Sequence, residues 1–290
     1  MQTFLLFLPK HQITGHLYWR LIIKIFPTLA GCTPKFFPMI RGIARFFIFV
    51  FVALFFLSKL LIRALVKGDD LAHAFEIRRR WARLCCHLVG IRVDVNEPPA
   101  VVGPAVYVSN HRSYLDPVIV LRDVPSMPVA KAEVSGWPFI GFAARASGVL
   151  YVKREDKDSR RATVIAIEET LKKGFSVLIY PEGTTHVELK SRIFRQGAFR
   201  VAAELGVPVI PIAIEYSRPE DAWINDDTFL PHFISTFSRR RIHIRMRYGQ
   251  PITDTDPERL LQRTQEWIDE QVVEIRKEWY GQAGVWEGAF

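Results

Sequence analysis

The chain has 290 residues, 49% of them apolar and 24% charged, enough for a large α/β unit with a real core and too apolar for a disordered chain. Its formal charge of +9 is lopsided: residues 1–90 hold 13 Lys and Arg against 3 Asp and Glu, and the other 200 hold 26 against 27. Because the basic third is also the most apolar, it fits an anionic membrane surface and argues against a nucleic-acid binder.

In chain order, residues 1–38 mix apolar patches with Pro9, Pro27, Pro34 and Pro38 and show neither a periodic pattern nor a signal-peptide cleavage site. Met39-Ile-Arg-Gly reads as a more ordinary start, so residues 1–38 are expected to be an irregular extension from a misassigned start. Phe46 to Leu57 is an unbroken run of twelve apolar residues, with Arg41 and Arg45 before it and Lys59, Arg63 and Lys67 after it. A spanning helix needs about 20 mainly apolar residues. The run reaches that length only if Lys59 and Arg63 snorkel, so a span and an in-plane anchor both stay open. Residues 71–90 read as a second helix ended by Gly90, with Arg78-Arg79-Arg80-Trp81 suited to the headgroup level. Residues 39–90 are therefore expected to be a membrane-anchoring helical hairpin, and residues 91–290 an α/β domain.

In that domain strands are expected at Ile91–Val95, Ala105–Ser109, Pro128–Lys131, Val149–Val152, Ser176–Tyr180, Val209–Glu215 and Arg241–Tyr248. Helices are expected at Pro117–Val124, Phe139–Ser147, Asp158–Lys173, Gly197–Leu205 and Pro257–Trp279. The alternation predicts a helix-covered, mostly parallel or mixed β-sheet. Residues 218–240 read as a long irregular excursion. Cys32, Cys85 and Cys86 form no C-x-x-C, which predicts reduced, buried thiols in a cytosol-facing protein and no metal site.

Three stretches follow predicted strand ends, where open α/β sheets place ligands. The first carries His111 and, after four residues, Asp116. A histidine is the side chain suited to taking a proton near neutral pH, and a carboxylate can fix its tautomer. Asp116 followed by Pro117 is also a helix N-cap signature, and one carboxylate could serve both roles. The second, Gly148 to Arg154, ends on a guanidinium suited to phosphate or to nearby acids. The third is Tyr180-Pro-Glu-Gly-Thr184, and a fourth stretch, Gly206-Val-Pro-Val-Ile-Pro, reads as buried strand. Neither a G-x-S-x-G elbow nor H-E-x-x-H occurs, which argues against a serine hydrolase and a metalloprotease.

The order N-H-x4-D, G-x-x-Y-V-x-R, Y-P-E-G-T, V-P-V-I-P over roughly residues 80–250 resembles the glycerolipid acyltransferase family, which includes 1-acylglycerol-3-phosphate acyltransferases. The resemblance implies that His111 is the general base and Asp116 its orienting partner. It implies that Arg154, Glu182, Gly183 and Thr184 help bind a phosphate-bearing acceptor, and that Lys131 matches a lysine near the site. Fatty acyl-CoA or acyl carrier protein would be the co-substrate and membrane lipids the partners, on the cytoplasmic face, with no other cofactor and the oligomeric state left open. The favoured acceptor is 1-acyl-sn-glycerol-3-phosphate. The family often has Arg after P-E-G-T, but here Thr185 and His186 follow, and Lys190, Arg192 or Arg195 would have to replace that cation. The 221–241 excursion resembles a branch that includes lyso-ornithine lipid acyltransferases, the alternative acceptor class. A lipid esterase and a non-catalytic lipid-binding protein on the same fold are the rivals.

Overall fold

The computed structural model describes residues 36–68, 70–132, 136, 146–152, 157–224 and 227–281. Strands β1 (Ile91–Val95), β2 (Val106–Ser109), β3 (Ser126–Lys131), β4 (Leu150–Val152), β5 (Ser176–Ile179), β6 (Val209–Tyr216) and β7 (Ile242–Tyr248) form one sheet in the order β1-β7-β6-β2-β5-β3-β4. Its pairs are parallel except β6 with β7, so the sheet is mixed. β6 is buried along its whole length, as its apolar run Val209–Ile214 requires of a strand covered on both faces. The helices are α1 (Phe36–Lys67), α2 (Leu71–Val89), α3 (Asp116–Val120), α4 (Lys157–Lys172), α5 (Gly197–Leu205), α6 (Phe229–Ser238) and α7 (Pro257–Tyr280). One core packs α2, α3 and α6 against the sheet, and a second packs α4, α5 and α7 against its other face.

The expected strands fall within two residues of those found. The expected helix at Phe139–Ser147 lies almost wholly outside the described residues, as does the 1–35 part of the N-terminal extension. Residues 218–240 are not irregular throughout, because they contain α6. Phe229, Phe233 and Phe237 recur every four residues on one side of it, and Pro231 sits in the first turn, where a missing N–H costs nothing.

The apolar hairpin is the α1–α2 pair. α1 is about 48 Å long, against a bilayer hydrocarbon core of about 30 Å. Only Gly42 and Val52 in it are buried. Ile40, Ile43, Phe47, Phe51 and Leu54 lie along one exposed face at helical spacing, with Phe51 71% exposed, a stripe suited to membrane association. The opposite face packs on α2 and α6. At Gly42 the contact with α6 is so close that a Cβ would strike the carbonyl of Ile234.

Several basic residues expected to face lipid headgroups are used inside the protein. Arg41 donates to Ser238 O at 3.0 Å, and Arg45 donates to the carbonyls of Phe237, Arg239 and Arg240. Those of Phe237, Ser238 and Arg239 are orphan carbonyls at the end of α6, where a guanidinium also complements the helix dipole. Arg78 of the triplet is buried and donates to Ser147 O and Ser126 O, while Arg79 and Arg80 pair with Glu76. Trp81 packs at a tilt against Phe49 of α1. Asp70 caps α2 through Ala72 N and His73 N, and Gly90, at φ 84°, ends it as expected. Cys85 and Cys86 are free and buried, and burial pushes the Cys86 thiol up to about 11.

Candidate active site

Parallel pairing of β2 with β5 brings two loops side by side at their C-terminal ends. β2 delivers Asn110-His111 and β5 delivers Tyr180-Pro-Glu182. Asn110 continues the ladder onto β6 with its side chain: its Nδ2 donates to Ile214 O and its Oδ1 accepts from Ile214 N, both at 2.8 Å. An amide is the side chain that imitates a peptide group in this way, and it fixes where the loop leaves the sheet.

Asp116 lies in the first turn of α3 but does not cap it. The N-cap residue is Leu115, without a side-chain cap bond. The cap reading gives way because the carboxylate turns back onto its own loop. Its Oδ2 accepts from Arg112 N at 2.6 Å and Ser113 N at 2.8 Å, and lies 2.8 Å from His111 Nδ1. Its Oδ1 accepts from the Tyr216 hydroxyl at 2.7 Å. Asp116 is fully buried, and His111 keeps 16% of its side chain exposed. With Nδ1–H donating to Asp116, Nε2 carries the free lone pair. Tyr180 stacks on the His111 ring, centroids 4.3 Å apart and planes 27° apart. Burial, and next the Asp116 charge, push the hydroxyls of Tyr180 and Tyr216 well above the ordinary phenol value.

Glu182 is buried, and both of its oxygens are engaged. Oε1 accepts from His111 N at 2.8 Å, and Oε2 accepts from Arg192 N at 2.8 Å and from His186 Nε2. Glu182 thus holds the backbone of the His111 loop. His186 also donates its backbone N–H to His111 O. Its Nδ1 faces Arg112 Nη1 and Glu188 N, each at 3.2 Å. Both neighbours can only donate, so Nδ1 carries no proton and Nε2–H donates to Glu182. His186 is therefore a neutral, buried tie.

Beneath the loops lies a charged layer. Arg112 is fully buried, donates to His186 O at 2.9 Å and lies 3.3 Å from Glu215. Arg276 of α7 donates from Nε to Glu215 Oε2 at 2.8 Å and from Nη2 to Val187 O and Glu188 O. The segment before α6 closes the other side. Trp223 N donates to Arg112 O at 2.9 Å, Thr185 donates to Trp223 O, and Tyr114 packs edge-on against Trp223 and Phe229.

The structure thus brings His111, Asp116, Glu182 and Gly183 together. Thr184 is exposed in the same turn. Lys131 ends β3, and its side chain lies outside the described residues, as does Arg154 altogether. Sequence reasoning missed Asn110, Arg112, Glu215, Tyr216 and Arg276. Glu215 and Tyr216 had a signal, being polar residues closing an apolar strand. Arg276 had one too, sitting beside Ile268, Val272 and Ile275 on the apolar stripe of α7.

The family model described as Acyltransferase matches residues 90–215. The lyso-ornithine lipid O-acyltransferase of Pseudomonas aeruginosa is 31% identical over 217 residues, 71% of this chain and 83% of that protein. The human 1-acyl-sn-glycerol-3-phosphate acyltransferase alpha is 30% identical over 214 residues, 68% of this chain and 72% of that protein. The crystal structure of the 1-acyl-sn-glycerophosphate acyltransferase PlsC from Thermotoga maritima superposes with a TM-score of 0.63 at 19% identity, covering 82% of this chain and 98% of that one, a likeness of fold.

Proposed function

Because the chain belongs to the glycerolipid acyltransferase family, we propose that it moves a fatty acyl group from acyl-CoA or acyl carrier protein to the free hydroxyl of a lyso-ornithine lipid. The acyl-transfer reading is carried by the His111–Asp116 contact at 2.8 Å, with Nε2 left to act. An alcohol is a poor nucleophile until a base takes its proton. His111 Nε2 takes that proton as the acceptor oxygen forms its bond to the thioester carbonyl. The tetrahedral centre then collapses, the C–S bond breaks, and the thiol leaves with the proton from Nε2. No covalent acyl-enzyme is needed.

The choice of acceptor rests on two observations. The Pseudomonas lyso-ornithine lipid O-acyltransferase aligns over 83% of its length and the human 1-acyl-sn-glycerol-3-phosphate acyltransferase alpha over 72%. The position after P-E-G-T also holds no cation: Thr185 is tied to Trp223 O, and His186 is neutral and buried. The second reading is the phosphate acceptor, 1-acyl-sn-glycerol-3-phosphate. The α1–α2 hairpin seats the α/β domain at the cytoplasmic face of the membrane, so that lipid acceptors enter from the bilayer.

The test is to incubate membranes holding the full chain with labelled acyl-CoA or acyl carrier protein and a panel of lysolipids. Diacyl ornithine lipid is the expected main product. Predominant phosphatidate moves the reading to the second acceptor. Free fatty acid alone, or no product, overturns acyl transfer.

A further inference from the structure

The geometry points to Arg195 as the residue that binds the anionic group of the acceptor headgroup, its guanidinium held over Gly183 beside the His111 loop. This rests on the acyl-transfer reading above. Gly183 has φ 78°, and a Cβ there would lie 2.9 Å from both Cζ and Nη2 of Arg195 and 3.3 Å from Nε. Three guanidinium atoms at nearly equal range mean that the planar group lies flat on the glycine. The turn needs glycine twice over, for its left-handed backbone and for the room that Arg195 occupies. Arg195 is tied at the main chain too, its N–H donating to Pro181 O at 3.2 Å.

Three cations stand near enough in sequence to replace the one missing after P-E-G-T. Arg192 is paired with Glu188 at 2.9 Å. Lys190 is exposed, and no contact among the described residues ties it to the turn. Arg195 is held on the turn and has no carboxylate partner among the described residues. The nearest buried acid, Glu182, has both oxygens engaged by His111 N, His186 and Arg192 N. Arg195 is also exposed, and its guanidinium fork lies over Gly183. That fork suits a carboxylate or phosphate oxyanion bidentately. The path to the chemistry is short: Gly183 adjoins Glu182, and Glu182 holds His111 N at 2.8 Å. Arg195 thus brings a cation to the turn from across Gly183, while position 185 itself carries none.

Steady-state kinetics of the full chain in mixed micelles would test this with three acceptors: lyso-ornithine lipid, its carboxyl methyl ester, and 1-acyl-sn-glycerol-3-phosphate. Arg195→Gln should raise KM for whichever anionic acceptor is used roughly 10- to 100-fold, leaving kcat and the donor KM unchanged. On the methyl ester, wild type and Arg195→Gln should agree within about twofold, and Lys190→Gln should do so on all three. The anionic lipid that shows the Arg195 effect identifies whether the oxyanion is carboxylate or phosphate. Equilibrium binding of the same lipids to His111→Ala protein reads the subsite without turnover, so loss of acyl transfer and loss of the subsite are separate results. An equal KM rise on the ester, or unchanged KM and binding on both anionic lipids, would overturn the assignment.

Discussion

Replacing Asp116 separates its charge from its hydrogen bonds. Asp116→Ala leaves His111 Nδ1, Arg112 N, Ser113 N and the Tyr216 hydroxyl without their acceptor in a site with no water access to the carboxylate. Each unsatisfied buried group costs about 1–3 kcal/mol, so four cost about 4–12 kcal/mol, comparable with a whole domain's stability of about 5–15 kcal/mol. That variant should not fold. Asp116→Asn can keep all four contacts. Its oxygen replaces Oδ2 and meets three donors, and its NH2 faces the Tyr216 hydroxyl, which turns to accept. What it loses is the negative charge facing the imidazolium that forms as His111 takes the proton. With charge centres roughly 4 Å apart and an effective dielectric near 20, that attraction is about 4 kcal/mol, or about 10³-fold in rate. Single-turnover transfer assays and thermal melts of the two variants and wild type measure both parts. Asp116→Asn with near-native melting and a rate within about threefold of wild type would refute the charge argument. A normally folded Asp116→Ala would refute the hydrogen-bond argument.

Arg276→Met should cost about 3–5 kcal/mol in denaturant unfolding, because it strips a buried partner from Glu215 and from the Val187 and Glu188 carbonyls. Gly42→Ala should loosen α1 from α6 and cost about 1–3 kcal/mol, read as a lower melting temperature in detergent, because its Cβ would meet main chain that cannot swing away. Stability should fall above about pH 10: burial raises Tyr180, Tyr216 and Tyr248 in the folded state, so their stabilising effect is complete below the unfolded phenol value and is lost as pH rises past it. The slope for three such groups is about 4 kcal/mol per pH unit, and a flat unfolding free energy between about pH 10 and 11 would contradict it. His111→Ala should abolish transfer while leaving the melt nearly native, and near-normal turnover would sink the proposed mechanism.

The strands of the α/β unit were legible because each is a short apolar run closed by turn residues, and the His111–Asp116 and Pro181-Glu182-Gly183 groups were legible because they follow two of those strands. Adjacency of β2 and β5 is a fact of topology, and it is adjacency that turns Glu182 from a turn residue into the acceptor for His111 N. The antiparallel entry of β7 was equally invisible, since one strand's composition does not say which way its neighbour runs. Basic residues were misread most. Arg41, Arg45 and Arg78 look like a membrane-facing set in sequence, but each answers main-chain carbonyls that only the folded chain supplies. α6 was missed because residues 218–240 read as irregular, and the four-residue spacing of Phe229, Phe233 and Phe237 gains its meaning from packing on α1.

The charges gathered under the site explain why so polar a layer sits at the end of an apolar sheet. Arg112 and Arg276 both meet Glu215, while Asp116 and Glu182 hold the His111 loop; all five are nearly or fully buried, and His186 is held neutral by its two donors. With the carboxyl groups ionised, two positive charges meet three negative ones. The set carries one net negative charge while His111 is neutral, and it balances when His111 becomes an imidazolium. Fixed charges that complement the transition state better than the resting state lower the barrier without reorganising during the reaction. Removing either arginine should therefore harm the fold more than the proton transfer. Removing Asp116's charge should harm the proton transfer most, because among the described residues that carboxylate is the one that touches His111 Nδ1.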